Sequence, residues 1–211
     1  MKPIRVLIVD DHALLREGLR ALLSSMGDIE VVAEVANGRE AVRRALEIAP
    51  QVVLMDIGMP DMNGVEATAL LLAKLPGVRV IALSMHGDAE HVQRALQAGA
   101  AGYLLKESAA AEVVAAVRAV HAGRRYLSIA VMPHARRRAG TTTPLASLSA
   151  RERQVLQLVV EGRTSAEIGA ALHLSRKTVD TYRSRLMRKL GVDDLPALVK
   201  FAIQHGITPP A

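Results

Sequence analysis

The chain has 211 residues, half of them hydrophobic, and no cysteine. Disulfides and cysteine-ligated zinc are therefore excluded, and a reducing compartment is expected. No apolar run approaches the roughly 20 residues of a membrane span, and the run at residues 6–9 is too short for a signal peptide, so the chain reads as soluble and cytoplasmic with no membrane partner.

Residues 4–9 form an apolar strand that ends at Asp10 and Asp11. Residues 13–23 follow with helical periodicity, Leu14, Leu15, Leu19, Leu22 and Leu23 on one side and Arg16, Glu17 and Arg20 on the other. A second strand is expected at 30–35 and a second helix at 39–49, stopped by Pro50. The run Val52-Val53-Leu54-Met55 reads as a strand buried on both faces; it delivers Asp56 to its tip before Gly58 and Pro60 turn the chain. Helix 65–75, strand 79–83 ending at Ser84, helix 89–98, strand 102–105 ending at Lys106, and helix 109–122 complete the first 125 residues.

Five strands alternating with five helices predict an α/β doubly wound, five-stranded parallel sheet of flavodoxin-like order 2-1-3-4-5. That order sets strands 1 and 3 side by side at the switch point. Asp10, Asp11 and Asp56 then converge on one crevice, with Ser84 and Lys106 arriving from strands 4 and 5. One of the Asp10-Asp11 pair could instead cap the helix that follows. Three ionised carboxylates together are costly unless a cation joins them. Mg2+ suits such a set, and Lys106 suits a phosphoryl group. A site of this kind can make Asp56 a nucleophile toward phosphorus. No glycine-rich phosphate loop precedes a Lys, so a nucleotide is not the expected donor.

The charge is unevenly spread. Residues 1–125 carry 14 Lys and Arg against 15 Asp and Glu, whereas residues 126–211 carry 13 against 6. The positive surplus of the second part points to nucleic acid, and with aromatics at only 2% duplex DNA is favoured over single strands. Residues 126–146 read as a linker, with a short helix at 128–134 ended by Pro133. It carries Arg136-Arg137-Arg138, read as a solvated charge run, and a Thr/Gly/Pro connector.

Residues 147–211 read as a small all-α unit. Ser149 and Glu152 form a capping box for a helix over 150–161. A short helix spans 165–172, His173-Leu174 turns the chain, and Ser175 caps a helix over 176–190. A last helix runs from 195 to 205. Helix 176–190 is two-faced: Val179, Tyr182, Leu186, Met187 and Leu190 repeat on the buried side, Lys177, Asp180, Thr181, Ser184, Arg185 and Arg188 on the other. This is helix-turn-helix logic, in which the second helix enters the major groove. Its N-terminal half, with Thr178, is expected at base edges, and Lys177, Arg183, Arg185, Arg188 and Lys189 at phosphates. Asp180 could accept from cytosine N4.

Two resemblances rest on these residues. Val9-Asp10-Asp11-His12, Leu54-Met55-Asp56-Ile57-Gly58-Met59-Pro60, Leu83-Ser84 and Gly102-Tyr103-Leu104-Leu105-Lys106 resemble the receiver domain of two-component response regulators. The resemblance implies that Asp56 takes phosphate from a sensor histidine kinase and that Asp10, Asp11, Asp56 and the Gly58 carbonyl hold Mg2+. It implies that Ser84 and Tyr103 rearrange on phosphorylation, although as a strand residue Tyr103 would otherwise read as packing. Residues 148–207 resemble the LuxR-type helix-turn-helix through Leu148-Ser149, Arg151-Glu152, Glu167-Ile168, Leu172, Ser175, Thr178-Val179 and Lys189-Leu190-Gly191-Val192, with Tyr182 where His is commonest. That family implies a homodimer through Leu195, Leu198, Val199 and Ala202. Together they imply a phosphorylation-switched transcriptional regulator of the NarL/FixJ type, not a turnover enzyme, although its receiver would promote its own aspartyl phosphorylation and dephosphorylation. The rival readings are a phosphohydrolase using Asp56 and a regulator that binds DNA without phosphorylation.

Overall fold

Strand β1 (Ile4–Val9) can be apolar along its length because both of its faces are covered; Val6, Leu7, Ile8 and Val9 expose no surface. The computed structural model describes residues 2–108, 110–132, 144–205 and 207. The chain divides into two units, residues 1–138 and 139–211.

In the first unit, β1 is joined by β2 (Ile29–Val35), β3 (Val52–Asp56), β4 (Arg79–Ser84), β5 (Gly102–Leu105) and β6 (Tyr126–Leu127). All pairs are parallel and the order is β2-β1-β3-β4-β5-β6. Side chains alternate across the sheet. Val6, Ile8, Val52, Leu54, Ile81 and Leu83 face helices α1 (Ala13–Ser24) and α5 (Ala110–His121). Leu7, Val9, Val53, Met55 and Val80 face α2 (Gly38–Ile48) and α3 (Gly64–Lys74). Helix α4 (Ala89–Gln97) packs Val92 and Ala95 with Ile57, Ala82 and Tyr103. Asn37, Asn63 and Asp88 cap α2, α3 and α4 by accepting backbone N–H groups of the first turn, which fixes where each helix begins at the sheet's C-terminal edge.

The sheet has six strands where the sequence predicted five. The sixth, Tyr126–Leu127, pairs with Gly102 and Tyr103 in the stretch read as the start of a linker. Two residues are too few to show alternation, and the strand exists because Tyr126 N–H finds Ala101 O and Ser128 N–H finds Tyr103 O. Within the stretch expected as a helix over 128–134, the described residues include a 3-10 turn, Ile129–Val131, which buries Val131 against Tyr103; residues 133 and 134 lie outside the described residues. Pro133, Arg136, Arg137, Arg138 and the Gly140–Thr143 part of the connector lie outside the described residues.

The second unit starts with a 3-10 turn (Pro144–Ser147), followed by α6 (Ala150–Val160), α7 (Ser165–Leu172), α8 (Arg176–Leu190) and α9 (Leu195–Gln204). Leu148, Val155, Leu156, Ile168, Leu172, Val179, Leu186 and Leu198 form its core. The expected capping box at Ser149 and Glu152 is present, and a second one, Thr164 with Glu167, starts α7. His173 turns the chain in the left-handed region at φ 55°. Among the described residues no helix is long and apolar enough to cross a membrane.

Candidate functional site

The register of β1 on β3 pairs Val9 with Met55, so the next residues, Asp10 just past β1 and Asp56 at the end of β3, stand side by side. Lys106, one residue past β5, brings its ammonium between them: Nζ lies 2.8 Å from Asp56 Oδ2 and 2.9 Å from Asp10 Oδ2. All three side chains are buried. Asp56 Oδ1 accepts the Gly58 backbone N–H at 2.9 Å, and Asp10 Oδ1 accepts that of His12 at 2.8 Å. Asp10 and Asp11 are thus held at the crevice. Neither caps α1, whose N-cap position is His12, without a side-chain capping bond.

Burial and the neighbouring Asp10 carboxylate push the Asp56 carboxyl up to about 6, against the opposing pull of Lys106 and the Gly58 N–H. Burial works against the charge of Lys106, but Asp56 and Asp10 outweigh it and hold the ammonium above its ordinary range. Three carboxylates face one ammonium. One ligand atom from each of Asp10, Asp11, His12 and Asp56 falls within 4.8 Å of the others. That residual negative charge and that clustering of ligand atoms fit a divalent cation.

The elevated Asp56 carboxyl has a consequence for stability. Its folded value of about 6 stands above the ordinary 3.8, so the folded state binds more protons than the unfolded one between them. Stability from this group is fully present below about 3.8 and is lost as pH rises through about 6. Compared with Asp56→Asn, the wild-type protein should lose about 2 kcal/mol between pH 4 and pH 7.5 in cation-free denaturation curves. Added Mg2+ should flatten the difference. Wild-type stability that rises relative to Asp56→Asn as pH increases would contradict the assignment.

Ser84 and Tyr103, the residues expected to rearrange, share a contact on the loop after β4. Ser84 Oγ accepts the His86 N–H at 3.0 Å, and the Tyr103 hydroxyl donates to His86 O at 2.6 Å. Tyr103 is wholly buried and burial pushes its phenol up. Both side chains therefore meet on one residue of the β4–α4 loop. Packing and hydrogen bonding coexist at Tyr103.

In the second unit, Lys177, Asp180, Thr181, Ser184, Arg185 and Arg188 are exposed along α8 and Thr178 is half-buried. Ser175, Lys177, Thr178, Thr181, Tyr182 and Arg185 line a shallow groove. Two of the expected phosphate contacts are used internally instead. Lys189 Nζ lies 2.7 Å from Glu152 Oε2 on α6, and Arg183 donates to Ser165 Oγ on α7. Ser165 in turn donates to Asp180 Oδ1 at 2.6 Å. These bonds lock α8 to its neighbours; helical spacing did not reveal them, because Arg183 and Lys189 flank the polar face and Asp180 lies on it. On α9, Leu198 and Ala202 are buried in the unit's own core, which removes them from the expected dimer face. Leu195, Pro196, Val199, Lys200 and Ile203 instead line a shallow surface that is mostly apolar.

Residues 6–118 match the response regulator receiver domain family, and residues 146–202 match the bacterial regulatory proteins of the luxR family. The chain belongs to the response regulators, with a receiver domain and a LuxR-type DNA-binding domain. It is similar to the response regulator UvrY of Escherichia coli, 39% identical over 208 residues that cover 97% of this chain and 95% of UvrY. It is similar to the response regulator VraR of Staphylococcus aureus, 39% identical over 205 residues covering 97% and 98%. Among solved structures, a LuxR-family two-component response regulator from Aurantimonas matches with a TM-score of 0.61 at 36% identity, over 64% of this chain and 96% of that one. A complex of the response regulator RcsB with DNA matches at 0.60 and 25% identity, over 95% and 98%.

Proposed function

We propose that this transcriptional regulator is switched by phosphorylation of Asp56 by a sensor histidine kinase. The observation that carries the reading is the Lys106 ammonium bridging Asp10 and Asp56 in a crevice with a carboxylate surplus. An Asp56 oxygen attacks phosphorus, the P–N bond of the phosphohistidine breaks, and the imidazole leaves with the bonding pair. Asp10, Asp11, Asp56 and the Gly58 carbonyl would hold Mg2+, which supplies charge neutralisation for the transferring phosphoryl group. Lys106 holds the second side of that charge. Ser84 then exchanges the His86 N–H for the new phosphoryl oxygens, freeing the loop that Tyr103 also grips through His86 O. That local rearrangement is the bistable element. The receiver thereby promotes its own phosphorylation and dephosphorylation and is not a turnover enzyme.

The output is duplex DNA. The first turns of α8 lie in the major groove, with Lys177, Thr178, Thr181, Ser184, Arg185 and Arg188 toward DNA and the free Asp180 oxygen available to a base. The similar RcsB, solved in complex with DNA, supports DNA as the partner. A homodimer forms through Leu195 and Val199 of α9, with Ile203 added. The test is DNA binding by the full-length protein with and without acetyl phosphate and Mg2+, with affinity falling steeply as salt rises. Binding unchanged by the phosphodonor would favour a regulator that works without phosphorylation.

The internal role of Lys189 separates it from Arg185. Lys189→Ala leaves the buried Glu152 carboxylate without its cation and should cost about 1–2 kcal/mol of stability. It should leave the salt dependence of DNA binding unaltered. Arg185→Ala should leave the melting curve in place and lower the salt slope by about 1. Equal slopes for the two variants in a salt titration would contradict this division.

A further inference from the structure

The carboxylates of the crevice have a fourth neighbour of different chemistry. His12 Nδ1 lies 3.1 Å from Asp10 Oδ1 and 2.7 Å from Asp11 Oδ1. Ligand atoms on adjacent corners of an octahedron with bonds of about 2.1 Å stand about 3.0 Å apart. The imidazole nitrogen and the two oxygens thus already have the spacing of neighbouring ligands of one ion. The same nitrogen lies 3.3 Å from Lys106 Nζ, which marks it as facing the crevice and not only solvent. Asp10 is wholly buried, and its Oδ2 meets the Lys106 ammonium at 2.9 Å on the same crevice.

The backbone explains why the ring stays there. His12 occupies the N-cap position of α1 with extended dihedrals, φ −83° and ψ 106°. Its N–H donates to Asp10 Oδ1 and its carbonyl accepts the Arg16 N–H. The imidazole is held beside the crevice by its own main chain.

We propose that His12 is a nitrogen ligand of this site and tunes it toward first-row transition-metal divalents over Mg2+. The inference rests on the reading that the crevice binds a divalent cation. Imidazole is a borderline donor suited to transition metals, whereas Mg2+ prefers oxygen and keeps its waters. A site of three carboxylates alone would discriminate less steeply. With His12 included, affinity should climb along the series from Mn2+ toward Ni2+.

The test uses full-length protein with Mn2+ as the probe at one fixed pH. Loss of the free-ion electron paramagnetic resonance signal measures binding, and electron spin-echo modulation reports any 14N nucleus bonded to bound Mn2+. Nitrogen modulation is expected in the wild type and absent in His12→Gln. That variant should weaken Mn2+ by roughly tenfold, the scale on which changes around a metal act. Mg2+ affinity, read by displacement of Mn2+, should move by less than about twofold, since nitrogen is a poor match for that ion. Circular dichroism of the variant controls for folding. Mn2+ bound without nitrogen modulation, modulation that persists in His12→Gln, or equal losses of Mn2+ and Mg2+ in a folded variant would overturn the role of His12 while leaving the cation site standing. If Mn2+ does not bind the wild type, or binds Asp56→Asn equally well, the cation site itself is wrong and the His12 proposal goes with it.

Discussion

Asp56→Asn abolishes Mg2+-dependent labelling by acetyl phosphate. The substitution keeps the size of the side chain and one carbonyl oxygen to accept the Gly58 N–H, now 2.9 Å from Asp56 Oδ1. It removes the carboxylate that attacks phosphorus and one of the anionic oxygens toward the cation. Loss of fold cannot account for the effect. Asp56 is 2% exposed and its carboxyl is already pushed up to about 6 by burial and Asp10. Near neutral pH the protein works against that charge, so a neutral amide should raise stability by about 1 kcal/mol, discounted for the weakened partnership with Lys106. A variant that melts no lower than wild type yet takes no label is the expected result. Label that persists on the variant, mapped to another residue, would refute the phosphoacceptor assignment. The carboxylate requirement also predicts that wild-type labelling slows as pH falls below about 6 at limiting Mg2+, where the neutral acid is no longer a nucleophile.

Much of this was legible from strand ends alone. Apolar runs covered on both faces demand a parallel sheet with helices on both sides, and that topology carries Asp10, Asp56 and Lys106 to one edge. The register of Val9 with Met55 then follows. What escaped had no period to show it. The sixth strand is two residues long and is defined by the groups opposite it. On α9 two apolar stripes run side by side, and the sequence does not say which faces the unit's own core; Leu198 and Ala202 do, Leu195 and Val199 less so. On α8 the edge positions Arg183 and Lys189 read as outward because they are charged, yet partners on α7 and α6 claim them. His12 was visible beside two acids, but only the fold shows its ring nitrogen among their oxygens.

Gly64→Ala should damage the receiver unit more than its single methyl suggests. Gly64 opens α3 directly behind the end of β3, and its N–H donates to Ile57 O. A Cβ there would stand 2.0 Å from the Asp56 carbonyl oxygen, 2.8 Å from the Asp56 carbonyl carbon and 2.9 Å from Ile57 Cα. All three are backbone atoms, so no rotamer change relieves the overlap. Strand β3 is buried along its whole length and cannot retreat. Helix α3 must therefore shift outward, pulling Ala67 and Leu71 from the core they share with α2. Overpacking of this kind costs about 3 kcal/mol or more. The same displacement moves the Asp56 backbone, so labelling should fall beyond what lost stability explains when measured well below the melting range. Gly18→Ala supplies the contrast. That glycine lies within α1 with nothing within 4 Å of the added atom, and alanine there should stabilise by about 0.5–1 kcal/mol through helix propensity. Urea denaturation of both variants decides the matter: a Gly64→Ala midpoint at or above that of wild type would mean that α3 slides freely on β3, and the tight seating of Asp56 would have to be abandoned.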